Sequence, residues 1–285
     1  MNFWVMQGLN GVSFGMLLFL LAAGLSLVFG LMNIVNIAHG SYYLLGAYIG
    51  LTIVNRTQNF LLAILGAAIG IAVLGILMQR FVLRQLYKNE LGQVLVTFGF
   101  VFVIADIALV IWGGYPQNIP APPMFQGATA VGDIRFPTYR LVVIVVGILM
   151  ALFLWWFQEG TKMGSAVRAA VDDEEMSQAV GLNVPLTSTG VFAIGAALAA
   201  MGGVMGGPFI GAYPGADLEV LMLAFVVVII GGLGSLRGAF VGAILVGLLD
   251  NFGKALFPEL SLFTVFAPMA IILATKPSGL FGRPA

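Results

Sequence analysis

Five side chains able to give or take hydrogen bonds crowd into one apolar stretch, LMNIVNIAHGSYYLLGAY: Asn33, Asn36, His39, Ser41 and Tyr42. Gly30 and Gly40 flank them. Residues of these types, so close together, suit contact with a small polar solute or a local departure from helical backbone. They do not suit metal binding, because His39 is the only histidine, the chain has no cysteine, and no carboxylate stands near His39 in sequence. No Ser-His-Asp arrangement can be argued. A plainer role for His39 is a structural bond to a backbone carbonyl. The next chemically notable residue is Asp106, close to the middle of an apolar run. An ionisable group at that depth costs about 2.5–3.5 kcal/mol on insertion scales, so Asp106 is expected to face the bundle interior or water. It would be the ion site of a proton- or cation-coupled carrier, or else a hydrogen-bonding link between helices. Asp250 lies nearer a span end, and Asp217 and Glu219 read as residues of an outer mouth, in water. No G-x-x-x-x-G-K-[ST] phosphate loop exists, since Gly253-Lys254 is followed by Ala255 and lacks the upstream glycine. The chain is not expected to be an enzyme or to bind a cofactor.

The elements that must position these residues are membrane helices. Of 285 residues, 60% are hydrophobic and only 8% charged, with a mean hydropathy of +1.06. Soluble domains carry about 25% charged residues. Several apolar runs reach the roughly 20 residues that cross a hydrocarbon core as a helix. Strand-like alternation is absent, which argues against a β-barrel. The formal net charge is zero, so nucleic acid is not expected as a partner. The first apolar run is too long for a cleaved signal and has no basic residue before it, so it is expected to remain as a span. The predicted fold class is all-α: a polytopic membrane protein of about 8–9 transmembrane helices, some short or broken, forming one domain over residues 1–285. Spans are placed at 8–31, 39–54, 60–78, 94–112, 138–157, 189–210, 220–234, 238–252 and 262–275. Arg80, Arg84 and Lys88, then Lys162 and Arg168, then Lys276 and Arg283 mark segments that share one side, the cytoplasm by the positive-inside rule. The N-terminus then lies outside and the C-terminus inside. Arg56, Arg135 and Lys254 fall on the outer side against the trend.

One polar segment, GTKMGSAVRAAVDDEEMSQAVGLNVP (residues 160–185), interrupts the apolar pattern with four consecutive acids. It reads as two short helices within a cytoplasmic loop at 158–188. Asp172 followed by Glu175 has the form of a helix start, and acids in the first turn complement the helix dipole. Gly181 is placed to stop the second helix and Pro185 follows the break. A helix of about two turns is unstable alone in water, so it must rest on the membrane domain or on a partner. Small residues also crowd the spans, as at Gly195, Gly202, Gly203, Gly206 and Gly207, and these allow close helix approach. An echo between AAGLSLVFG and AALAAMGGVMGG, each followed by Gly-Ala-Tyr (46–48 and 211–213), fits an inverted repeat.

GLSLVFGLMNIVNIAHGSYYLLGAY, RAAVDDEEMSQAVGLNV with FAIGAALAAMGGVMGG, GGLGSLRGAFVGA and SGLFGR occur in order along nearly the whole chain. Together they resemble the branched-chain amino acid ABC transporter permeases, the hydrophobic amino acid uptake group. The resemblance implies one permease subunit of an inner-membrane importer working by alternating access. It also implies a second permease (identical or homologous), two ATP-binding subunits that hydrolyse the ATP, a periplasmic substrate-binding protein, and surrounding lipid. On this reading Asn33, Asn36, His39, Ser41, Tyr42 and Asp106 are expected along the translocation path. The loop similar to the "EAA" docking element would present Arg168, Asp172, Glu174, Glu175, Ala179 and Gly181 to an ATPase, with Ala179-Val180-Gly181 as its Ala-x-Gly core. Many members have Glu after the His-Gly pair, whereas this chain has Ser41. Relatives of the family are similar to carriers of urea, short amides and aromatic acids. The competing reading from another class is an ion-coupled secondary transporter or channel using Asp106.

Overall fold

The computed structural model describes residues 2–32, 35–87, 89–132 and 134–282. Asn33, Lys88 and Arg283, named above, lie outside the described residues. The chain runs α1 (Asn2–Met32), α2 (His39–Thr57), α3 (Phe60–Phe81), α4 (Glu90–Trp112), a hairpin of β1 (Ala128–Val131) and β2 (Ile134–Pro137), α5 (Thr138–Gly160), α6 (Lys162–Asp172), α7 (Glu174–Ala179), α8 (Val184–Ile210), α9 (Ala216–Gly231), α10 (Leu236–Leu256) and α11 (Ser261–Thr275). Nine of these helices fall at the nine expected spans. Among the described residues, seven are long and apolar enough to cross a membrane, α11 only when joined to the 3-10 turn Pro258–Leu260 before it. The other two are α2 and α9. At 16 residues α9 is about 24 Å long at 1.5 Å per residue, shorter than a hydrocarbon core of about 30 Å. The first turns of α2 carry His39, Ser41, Tyr42 and Tyr43. Neither helix meets lipid along most of its length, because α2 is packed among α8, α3, α9 and α4, and α9 among α10, α1, α2 and α11. A polar or short helix is tolerated there because neighbouring protein, not hydrocarbon, surrounds it.

Backbone contact at small residues builds the centre. A methyl on Gly15 of α1 would lie 2.6 Å from the Ala243 carbonyl oxygen of α10, and one on Gly24 would lie 2.6 Å from the Gly195 carbonyl oxygen of α8. Gly50 of α2 meets Val204 of α8, and Gly242 of α10 meets the Val227 carbonyl of α9. In a membrane, where lipid is as apolar as leucine, close packing of this kind is a main source of helix association. By contrast α3, α4, α5 and α11 each keep one face outward, exposing residues such as Leu61, Ile69, Phe102, Val110, Leu149, Trp156, Leu262 and Ile271. The two Gly-Ala-Tyr segments occupy different settings, one inside α2 and the other in the connection from α8 to α9.

The strand hairpin was not foreseen. It pairs Ala128 with Pro137 through to Val131 with Ile134 in the Pro-rich connection before α5. At the same end of the bundle, Gln117 and Ala212 exchange two backbone bonds of 2.9 and 2.7 Å, tying that connection to the α8–α9 turn. The opposite end carries α6, α7 and the C-terminal tail. There Leu280 and Phe281 donate to the carbonyls of Ile230 and Gly231, satisfying the open end of α9.

Candidate functional site

The break between α1 and α2 creates the first site. Residues 35–38 are non-helical and α2 begins at His39 without a side-chain cap. The His39 amide donates to the Asn36 carbonyl at 3.2 Å, and the Ile37 amide donates to Thr97 Oγ1 of α4 at 3.4 Å. Asn36, His39, Ser41 and Tyr42 are all completely buried. His39 Nε2 is 3.1 Å from the Leu21 carbonyl oxygen. That acceptor fixes the proton on Nε2 and leaves Nδ1, buried and without a partner, as a free acceptor. The Asn36 amide lies beside the Tyr42 hydroxyl but makes no well-formed hydrogen bond. Tyr42 itself donates to Met78 Sδ at 2.7 Å. Ser41 donates to Asp217 Oδ2 at 3.1 Å. The structure therefore gathers Asn36, His39, Ser41 and Tyr42 at one buried locus, with polar atoms left unsatisfied there. Buried orphans of this kind are rare and call for a water or a ligand group in some state of the protein.

Asp217 belongs to this locus and was misread from sequence. It is 3% exposed rather than solvated at a mouth. The α8–α9 connection turns inward through Gly211 and Gly215, whose φ values of 80° and 98° suit glycine. The first turn of α9 then comes against the start of α2. A carboxylate there is favoured by the positive end of the helix dipole. Its Ser41 partner is 176 residues away in sequence, so no local pattern announces the pair. Asp106 departs from expectation in the opposite sense. The buried positions of α4 are Gln93, Thr97, Val101, Ile104 and Ala108, one stripe at helical spacing. Asp106 stands on the far side of the helix, exposed, and does not turn toward the interior of the chain.

The second site is the α6–α7 segment. Thr161 caps α6 by accepting from the Gly164 amide at 3.0 Å. Gly164, Val167 and Ala170 bury one face of α6, while Lys162 and Asp172 are exposed. The cap of α7 is Asp173, which accepts from the Met176 amide at 2.9 Å. This is one residue beyond the Asp172 start expected from sequence, because Asp172 is still the last residue of α6. At the other end the Leu182 amide donates to the Ser177 carbonyl and the Gly181 amide to the Gln178 carbonyl, each at 3.0 Å. That double bond is the Schellman ending, which needs a left-handed residue; Gly181 supplies it at φ 92°. Glu175, Ala179 and Gly181 are exposed, as are the apolar side chains of Val171, Met176, Val180 and Leu186. Arg168 is half-buried, with Nη1 3.5 Å from Glu159 Oε2. Tyr87, after α3, donates to Glu174 Oε2 at 2.6 Å and ties α7 to the membrane domain. That bond to a carboxylate, aided by burial, pushes the Tyr87 phenol up to about 12.

Two cavities open at the α6–α7 end on either side of the end of α1. One, about 380 Å³, is lined by Met32, Gln79, Arg84, Tyr87, Gln93 and Glu174 among others. The other, about 400 Å³, lies between α1, α5, α6 and the start of α10. No group of His, Asp or Glu among the described residues could hold a metal ion.

Comparison with known proteins places this architecture. The family described as branched-chain amino acid transport system / permease component matches residues 8–274. The chain is 29% identical to the high-affinity branched-chain amino acid transport system permease protein LivH of Salmonella typhimurium, over 99% of this chain and 96% of that protein. It is 27% identical to the permease protein BraD of Pseudomonas aeruginosa, again over 99% and 96%. Its fold is similar to PsaBC from Streptococcus pneumoniae, solved in complex with a Fab, with a TM-score of 0.51 at 15% identity over 93% of this chain and 90% of that one.

Proposed function

Because the chain belongs to the branched-chain amino acid permease family, we propose that it is one transmembrane subunit of an ATP-driven importer for branched-chain or similar hydrophobic amino acids. Its own role is non-enzymatic transport in a bacterial-type inner membrane. ATP binding and hydrolysis fall to two separate subunits, substrate delivery to an external binding protein, and the second half of the core to an identical or homologous permease. The observation that carries the reading, beside family membership, is the α6–α7 segment. A helix too short to be stable alone is capped at both ends, tied down by Tyr87, and left with Val171, Met176 and Val180 facing out. Exposed apolar residues rimmed by acids at the end of a membrane protein fit a docking surface for a soluble partner. The α6–α7 end then faces the cytoplasm, and the N-terminus and the strand hairpin face the periplasm. This orientation follows the excess of Arg and Lys on that end.

The buried locus of Asn36, His39, Ser41, Tyr42 and Asp217 is the part of the path we assign to this chain, with Asn33 next to it in sequence. It is closed in this conformation. Opening would present Nδ1 of His39, the Asn36 amide and the Asp217 carboxylate to a zwitterionic solute, which supplies both donors and acceptors. Asp106 is assigned to the path only through the partner permease, since it faces out of this chain. That placement also leaves the ion-coupled alternative without a buried ion site on α4. The test is reconstitution in liposomes of the permease pair with its ATPase subunits and binding protein. Leucine uptake should require ATP and the binding protein and should survive a protonophore. Uptake that collapses with the protonophore while ATP is held constant would refute the importer reading.

A further inference from the structure

The 400 Å³ cavity beside α6 has a chemistry that the docking role does not use. Its volume falls in the range of small-molecule pockets, about 300–1,000 Å³. Ser26 of α1 lines it, is completely buried, and has no partner for its hydroxyl. Arg168 of α6 reaches it with a buried Nη1 that also lacks an acceptor, although Glu159 Oε2 is 3.5 Å away. Arg237 and the start of α10 form another wall. The Ser235 side chain caps that helix by accepting from the Gly238 amide at 3.0 Å. This leaves the amides of Leu236 and Arg237 without an intrahelical acceptor. Helix N-termini with free amides are ready sites for anions. Here that geometry coincides with two guanidinium groups and a stranded hydroxyl. Glu159 adds one negative charge at the rim, and Leu27, Leu233 and Phe281 add apolar wall.

We propose that this cavity binds a small α-amino acid with an apolar side chain from the docking-loop side, its carboxylate at Arg168, Arg237, Ser26 and the α10 N-terminus and its ammonium at Glu159. A doubly charged phosphate would meet Glu159 repulsively and would leave the apolar wall uncovered. The assignment rests on the importer reading for which amino acid is present on that side, since the imported product accumulates there. Because α6 supplies Arg168, occupancy would hold the docking segment against α1 and α10.

The test uses the complete assembly of permeases and ATPase subunits, purified without the binding protein, and equilibrium dialysis against radiolabelled leucine. Leucine should bind, acetate should compete, and inorganic phosphate should compete poorly. Arg237→Gln removes an exposed cation and is expected to weaken leucine binding about tenfold, as loss of a charge-assisted bond to a carboxylate does, while ATP-driven uptake stays at the wild-type rate. Glu159→Gln should weaken leucine binding but not acetate competition. Leucine binding unchanged in both variants would overturn the proposal, and so would phosphate binding in place of leucine. Binding abolished by phosphatidylglycerol in nanodiscs, but not by phosphatidylcholine alone, would assign the cavity to a lipid phosphate and overturn the amino acid. If the assembly, once its binding protein is restored in proteoliposomes, imports no leucine yet binds it through Arg237, the transport reading falls and the cavity stands; normal import with variant-insensitive binding gives the reverse.

Discussion

Replacing Gly181 with Val isolates the docking helix from the rest of the fold. At φ 92° an L-residue is strained, whereas a methyl added there meets no atom within 4 Å. The substitution therefore strains backbone without removing or crowding any packed group. Holding a non-glycine residue in so sparse a region costs about 1–3 kcal/mol, with β-branched side chains at the upper end. The chain can relieve that strain by releasing the two bonds that Leu182 and Gly181 make to Ser177 and Gln178. A shift of this size changes the local equilibrium between capped and frayed α7 by roughly 5- to 150-fold. The spans do not depend on this turn, so assembly and melting temperature should remain near wild type. What should fall is coupling, measured as leucine imported per ATP hydrolysed in proteoliposomes. Gly181→Asn should lie between glycine and valine, because asparagine tolerates left-handed backbone better. If Gly181→Val assembles and keeps the wild-type ratio of leucine to ATP, the capped α7 is not the element that transmits hydrolysis.

Four further outcomes are expected. Single cysteines at Asn36, His39, Ser41 and Tyr42, in a chain with no native cysteine, should resist an impermeant thiol reagent in the nucleotide-free complex and react at two or more positions when ATP is trapped; silence at all four in every state, with Ala variants that transport normally, would make the cluster simple packing. Asp106→Asn should keep ATP-dependent uptake and thermal stability, whereas Asp217→Ala should lower the melting temperature by stranding the buried Ser41 hydroxyl, at a cost of about 1–3 kcal/mol. Gly46→Leu should destabilise by about 1–3 kcal/mol through overpacking, because its first carbon alone would lie 2.7 Å from the Ala200 carbonyl oxygen; Gly8→Leu, with open space around it, should be neutral in the same melting assay. The Tyr87–Glu174 bond stabilises the protonated phenol, which is raised from 10 to about 12, so its contribution is complete below pH 10 and is lost as pH climbs through 12; the protection factor of α7 amides, which removes the intrinsic base catalysis of exchange, should fall over that window in wild type and stay constant there in Tyr87→Phe.

Features that depend on local pattern and composition were legible before any fold was known. Apolar runs of helical length placed nine helices, because a membrane forces each backbone group to be satisfied within its own segment. Gly181 and the acids before it announced a short capped helix, since caps are made by residues three or four positions apart. The clustering of Asn36, His39, Ser41 and Tyr42 was legible because one chain segment carries them all. Which helices are enclosed emerges from packing: hydropathy does not distinguish α2 and α9, which are sheathed, from α4, which keeps a full face outward. Packing also decided the fates of the two aspartates. Asp106 is in the middle of its span, yet the packing stripe of α4 turns it outward. Asp217 sits at a helix start near a loop, where sequence reads solvent, and inward-turning glycines carry it to Ser41, 176 residues away. The direction a side chain faces is set by which neighbours pack against its helix, and those neighbours come from distant parts of the chain.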